Sequence, residues 1–69
     1  MNLLEAFGRR VQERRVKLGV SQEKFAAKCE LDRTYISDIE RGKRNLSLKN
    51  IKIIADALNI SISELTKGL

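Results

Sequence analysis

The chain has no histidine, no proline and no tryptophan in its 69 residues, and only one cysteine, four glycines, one tyrosine and two phenylalanines. Without histidine, Cys29 has no partners for a zinc site, and alone it forms no internal disulfide. It lies in an apolar stretch and reads as a small core residue. The commonest general base is missing too, and a domain this small buries only about 60% of its unfolded surface. No paired carboxylates have a pocket to sit in. These absences argue against an enzyme and against any metal, cofactor or small-molecule ligand. Lack of proline and scarcity of glycine disfavour a turn-rich β-sandwich and favour helices. No apolar run approaches the roughly 20 residues of a membrane span. The start, Met1-Asn2-Leu3-Leu4-Glu5, is quickly charged and is no signal peptide. The expected location is the cytoplasm, with no membrane partner.

What is present is 42% hydrophobic and 33% charged residues, enough for one small core under a solvated surface. Fourteen Lys and Arg against nine Asp and Glu give a net charge of +5, which makes a polyanion the expected partner.

One local device recurs along the chain. A cap residue is preceded by an apolar residue, with another apolar residue five positions further on, the pattern of a hydrophobic staple. Val20 and Phe25 flank Ser21, Leu31 and Ile36 flank Asp32, Leu46 and Ile51 flank Ser47, and Ile60 and Leu65 flank Ser61. Asn2 with Glu5 and Ser61 with Glu64 read as capping boxes, while Gly19, Gly42 and Asn59 read as stops. The pattern predicts five helices at about 3–18, 22–29, 33–41, 48–58 and 62–67. Apolar spacing supports them. Leu4, Phe7, Val11 and Leu18 share a face of the first helix, Phe25, Ala26 and Cys29 of the second, and Tyr35, Ile36 and Ile39 of the third. The fourth offers Leu48, Ile51, Ile54, Ala55 and Leu58.

Only Glu30 and Leu31 separate the second helix from the cap of the third. A link this short suits two helices crossing steeply, the helix-turn-helix arrangement, whose second helix enters the DNA major groove. With Ile36 and Ile39 inward, Arg33, Thr34, Ser37 and Asp38 share the outer side of the third helix. Arg can fork onto guanine O6 and N7, Thr can meet a thymine methyl, and Asp can accept from cytosine N4. Tyr35 is expected to be partly buried beside them. From Arg41 to Lys52 there are five cations and no acid: Arg41, Lys43, Arg44, Lys49 and Lys52. With Asn45 and Ser47 this segment reads as a phosphate clamp running into the amino end of the fourth helix. Ser21 and Gln22 form the matching clamp on the other side.

Arg15 falls on the inward stripe of the first helix, where an unpaired charge is costly. An inward guanidinium implies a carboxylate partner, with Glu40 the candidate; the alternative is an Arg15 that snorkels outward.

At these residues the sequence resembles the XRE family of helix-turn-helix regulators, which includes the lambdoid phage repressors and Cro proteins. The resemblance rests on Leu18-Gly19-Val20-Ser21-Gln22-Glu23-Lys24-Phe25-Ala26 and on Leu31-Asp32-Arg33-Thr34-Tyr35-Ile36-Ser37-Asp38-Ile39-Glu40-Arg41-Gly42. The run Asp32 to Asn45 is particularly similar to controller proteins of restriction–modification systems. The resemblance implies an all-α, compact five-helix lambda-repressor-like domain spanning 1–69, of bacterial or phage origin. It implies base reading by Arg33, Thr34, Ser37 and Asp38, with Tyr35 joining them. Phosphate contacts fall to Gln22, Arg41, Lys43, Arg44 and Asn45, with Ser21 and Lys49 added from the clamp reading. It also implies the Arg15–Glu40 pair. An acid at position 38 departs from the usual base-reading set.

A single module touches few base pairs, so two are expected to act on half-sites about one helical turn apart. Ile53, Ala57, Ile60, Ile62 and Leu69 are the candidates for a homodimer face. Double-stranded DNA is the expected partner, with RNA polymerase contact as a route to activation. The competing readings are a phage- or plasmid-type repressor, an antitoxin-like protein-interaction module and, more weakly, a cationic membrane-surface helix.

Overall fold

Each helix begins where a short polar side chain satisfies an amide of the first turn. The computed structural model describes residues 1–69. It contains α1 (Leu3–Leu18), α2 (Gln22–Cys29), α3 (Arg33–Glu40), α4 (Leu48–Ala57) and α5 (Ile62–Thr66), and no strand. Asn2, Ser21, Asp32, Ser47 and Ser61 accept from the amides of Glu5, Lys24, Thr34, Asn50 and Glu64. A cap of this kind typically contributes about 1 kcal/mol. The box at Asn2 is complete, with its amide donating to Glu5 Oε1 at 3.1 Å. The box expected at Ser61 is half formed. Glu64 Oε2 lies 3.2 Å from Arg14 Nη2 instead, because an ion pair to α1 competes for the same carboxylate. Helices α3, α4 and α5 each end one residue before the expected position.

The helix ends share a second device. Gly19, Glu30, Gly42 and Asn59 all have positive φ, at 77°, 57°, 75° and 60°. The amide after each reaches back over the last turn: Val20 to the Arg15 carbonyl, Leu31 to Ala26, Lys43 to Asp38 and Ile60 to Ala55. This is the Schellman closure. Glu30 is a stop that sequence reading does not anticipate, since a residue with a β-carbon pays about 1–2 kcal/mol in this region. Val20, Leu31 and Ile60 therefore each close one helix and staple the next, and all three pack on the core. The α3–α4 connection differs. Its closing residue is Lys43 and its stapling residue is Leu46, so Arg44 and Asn45 are left between the two. That longer link is the basic arm.

The core is formed by Phe7, Val11, Phe25, Ile36, Ile39, Ile54 and Leu65 with Ala26, Cys29, Ala55, Ala57 and Leu58. Three residues of the expected faces lie outside it: Leu4 is half-buried, and the other two stand in solvent. Leu18 is 43% and Leu48 73% exposed. Each stands at a helix end, where the turn extends past the partners that would cover it. Gly8 explains how close α1 and α3 come. A β-carbon there would overlap the Ile39 carbonyl oxygen and lie 2.8 Å from that of Glu40. Gly42 combines its positive φ with backbone contact to Glu5, where a β-carbon would come within 2.7 Å of Cα.

At this contact lies a buried ion pair. Arg15 Nε donates to Glu40 Oε2 at 2.6 Å and Nη2 to Oε1 at 3.0 Å, with 10% and 2% of the side chains exposed. Arg15 Nη1 donates to the Val20 carbonyl at 2.9 Å, and Gln22 Nε2 donates to Glu40 Oε1 at 3.0 Å. No buried side-chain polar atom is left without a partner. That completeness makes the pair tolerable in a dry site, where an unpartnered charge costs several kcal/mol. No helix is long and apolar enough to cross a membrane.

Candidate nucleic-acid interface

Because Ile36, Ile39 and Glu40 fill the inner side of α3, its other side is turned outward. Arg33 and Thr34 are exposed at the amino end, and Ser37 is half-buried one turn later. Arg33 Nη1 lies 3.5 Å from Gln22 Oε1, a long contact that leaves the guanidinium largely free. Tyr35 is half-buried, and its hydroxyl accepts from Asn50 Nδ2 at 2.9 Å. Asn50 is a site residue that sequence reading misses. Its only signal is a short amide in the first turn of α4, where caps and solvent-facing asparagines look alike.

The basic arm lies against the carboxyl end of this face. Arg41, Lys43, Arg44, Asn45 and Lys49 are all exposed. The Arg44 guanidinium carbon is 5.1 Å from the Tyr35 ring centroid, within cation–π range. Lys52 belongs elsewhere, since its Nζ is 2.9 Å from Asp56 on the same helix. Other cations hold the fold together: Arg10 donates to the Leu65 carbonyl, and Arg14 and Arg15 pair with acids. Arg33, Lys43 and Lys49, which form no ion pair, join the Arg41–Asp38–Arg44 group where α3, the arm and the start of α4 meet.

Asp38 corrects the expected base-reading set. Its carboxylate lies between Arg41 Nη2 at 2.5 Å and Arg44 Nε at 3.4 Å, and 19% of the side chain is exposed. Held by two guanidinium groups, it is not available to accept from cytosine. The hydrogen bond from Arg41, assisted by Arg44, holds its carboxyl below the ordinary 3.8, so it stays ionised.

At the other flank, Ser21 Oγ caps α2 by accepting from the Lys24 amide. The Gln22 amide is engaged at both ends, with Glu40 and with Arg33. Gln22 therefore links the buried ion pair to the tip of the outward face.

The five residues expected at a dimer face do not form one depression. Ile53 and Ala57 line a hollow with Lys28 and Cys29, and Ile60 lines another with Leu18 and Leu58. Leu69 lines a third with Leu3, Leu4 and Phe7. Ala57 is buried in the monomer core and leaves the candidate set, because packing between α2 and α4 has already covered it. Ile53, Ile60 and Ile62 are half-buried, and Leu69 is 42% exposed.

A short α2–α3 turn, an outward polar helix face and a cationic arm beside it define a helix-turn-helix DNA-binding domain. Residues 11–65 match the helix-turn-helix family, and the chain belongs to it, as an XRE-type member. The chain is 51% identical over 65 residues to the control protein C.BamHI of Bacillus amyloliquefaciens, covering 93% of this chain and 80% of that protein. Among solved structures it is similar to the restriction-modification controller protein C.AhdI from Aeromonas hydrophila, with a TM-score of 0.86, 48% identity and 90% of both chains covered. It is also similar to the controller protein C.Esp1396I, solved as a tetramer with its natural 35 base-pair operator. There the TM-score is 0.86 and the identity 38%, covering 94% of this chain and 86% of that one.

Proposed function

We propose that this protein regulates transcription by binding a partly palindromic operator as a homodimer, as the controller protein of a restriction–modification system. The observation that carries the reading is the exposed Arg33–Thr34 end of α3, set between the amino end of α2 and the basic arm. Arg33 forks onto guanine, Thr34 meets a thymine methyl or donates a hydrogen bond, and Ser37 and Tyr35 complete the reading edge. Ser21 and Gln22 on one side, with Arg41, Lys43, Arg44, Asn45 and Lys49 on the other, hold the flanking phosphates. The whole of 1–69 acts as one module, with Ile53, Ile60, Ile62 and Leu69 around α4 and α5 supplying the dimer face. The protein works in the cytoplasm by binding and not by catalysis. Its own concentration sets occupancy, and its position relative to a promoter decides repression or, through contact with RNA polymerase, activation.

Selection from a random duplex pool at near-physiological salt tests this reading. A two-fold symmetric motif with half-sites about 10 base pairs apart is the expected result. Recovery of no motif, with binding that vanishes at moderate salt, would point instead to a protein-interaction module.

A further inference from the structure

Asp38 carries the wrong sign of charge for a surface that meets DNA, yet it stands on the outward side of α3 between two arginines. Arg41 Nη2 and Arg44 Nε both point at its carboxylate, at 2.5 and 3.4 Å. The arginine side chains remain 59% and 50% exposed, so each guanidinium keeps donors directed to solvent. Arg44 also lies over the Tyr35 ring, whose hydroxyl is tied to Asn50 on α4. Two guanidinium groups this close repel one another when bare. A shared carboxylate removes the repulsion and fixes both planar forks, which are otherwise among the most mobile groups on a protein surface.

We infer that Asp38 is a positioning residue, which binds Arg41 and Arg44 into a two-guanidinium seat for one phosphate of the DNA backbone. The inference rests on the DNA-binding reading above and deepens it. A seat assembled in the free protein avoids ordering two long side chains at the moment of binding. It also carries one positive charge less than two free arginines, which weakens attraction to DNA of any sequence while favouring the register in which a phosphate fits.

This makes the sign of one substitution diagnostic. If Asp38 merely repelled DNA, Asp38→Asn would bind every duplex more tightly. As a positioning residue, its loss weakens operator binding about tenfold, the scale of one charged hydrogen bond, while a scrambled duplex binds as well as before or better. Arg44→Lys keeps the charge but not the fork, and is expected to reproduce the operator loss. Arg44→Ala should add little further loss in the Asp38→Asn background. In the free protein, Tyr35 is the sole tyrosine and there is no tryptophan. Its emission should change in Asp38→Asn as it does in Arg44→Ala, because both empty the ring face.

The experiment is a titration of wild type and these variants on operator and scrambled duplexes, alongside Tyr35 emission without DNA. Operator binding that is unchanged or tighter in Asp38→Asn, additive effects of the two substitutions, or unaltered emission would overturn the seat alone, provided the wild type prefers its operator. A wild type with no such preference would overturn the DNA reading, and the seat with it.

Discussion

The guanidinium of Arg15 and the carboxylate of Glu40 meet through two hydrogen bonds of 2.6 and 3.0 Å, joining the last turn of α1 to the last turn of α3. Gln22 adds the first turn of α2 to the same carboxylate. One acid therefore fixes α2 and α3, which carry the candidate DNA face, against α1. Glu40→Ala leaves a buried guanidinium without its partner, at a cost of about 3–5 kcal/mol. At roughly 4–8 °C per kcal/mol for a domain of this size, the melting temperature should fall by well over 10 °C. An unchanged melting curve would show that the pair does not hold the helices.

Gly8→Ala sets two effects against each other. Alanine is favoured over glycine inside a helix by about 1 kcal/mol. Here its methyl would collide with the carbonyls of Ile39 and Glu40, which belong to helical backbone and cannot move aside. The collision should win, lowering the melting temperature and loosening α1 from α3. A more stable variant would mean that the two helices separate at little cost.

Burial pushes the Cys29 thiol up to about 11, from an ordinary 9.0. The folded state therefore favours the protonated thiol, while the unfolded chain ionises above 9. Stability from this group is complete below pH 9 and declines as pH rises from 9 towards 11. In the native protein at pH 8, a thiol reagent should react far more slowly than with the unfolded chain. Equal labelling rates would contradict the burial.

Arg44→Ala tests the phosphate contact. It should weaken the operator more than a scrambled duplex, since the seat goes with the charge, and reduce the slope of log affinity against log salt by roughly one. A changed preference at a particular base position in a binding selection would instead assign Arg44 to base reading.

The helices, their caps and the Arg15–Glu40 pair were legible in the sequence because each has a local or periodic signature. Ser, Asp and Asn before apolar staples mark starts, and an arginine on an apolar stripe demands an acid. Other features have no such signature. Glu30 closes α2 in a conformation usually left to glycine, and the helical pattern on either side of it gives no warning. Asp38 has the right position for base reading, and only the fold of the arm shows that Arg41 and Arg44 claim it. The tie between Asn50 and Tyr35 spans 15 residues and depends on how α4 approaches α3. Ala57 reads as free for a partner because one-dimensional spacing does not reveal how α2 and α4 pack together.

The central claim, that the outward face of α3 reads bases, is tested most directly at Arg33. Binding selection repeated with Arg33→Ala should return the wild-type motif with preference lost at one position in each half-site, placed symmetrically about the centre. A motif unchanged in every position and merely bound more weakly would assign Arg33 to the DNA backbone and contradict the claim.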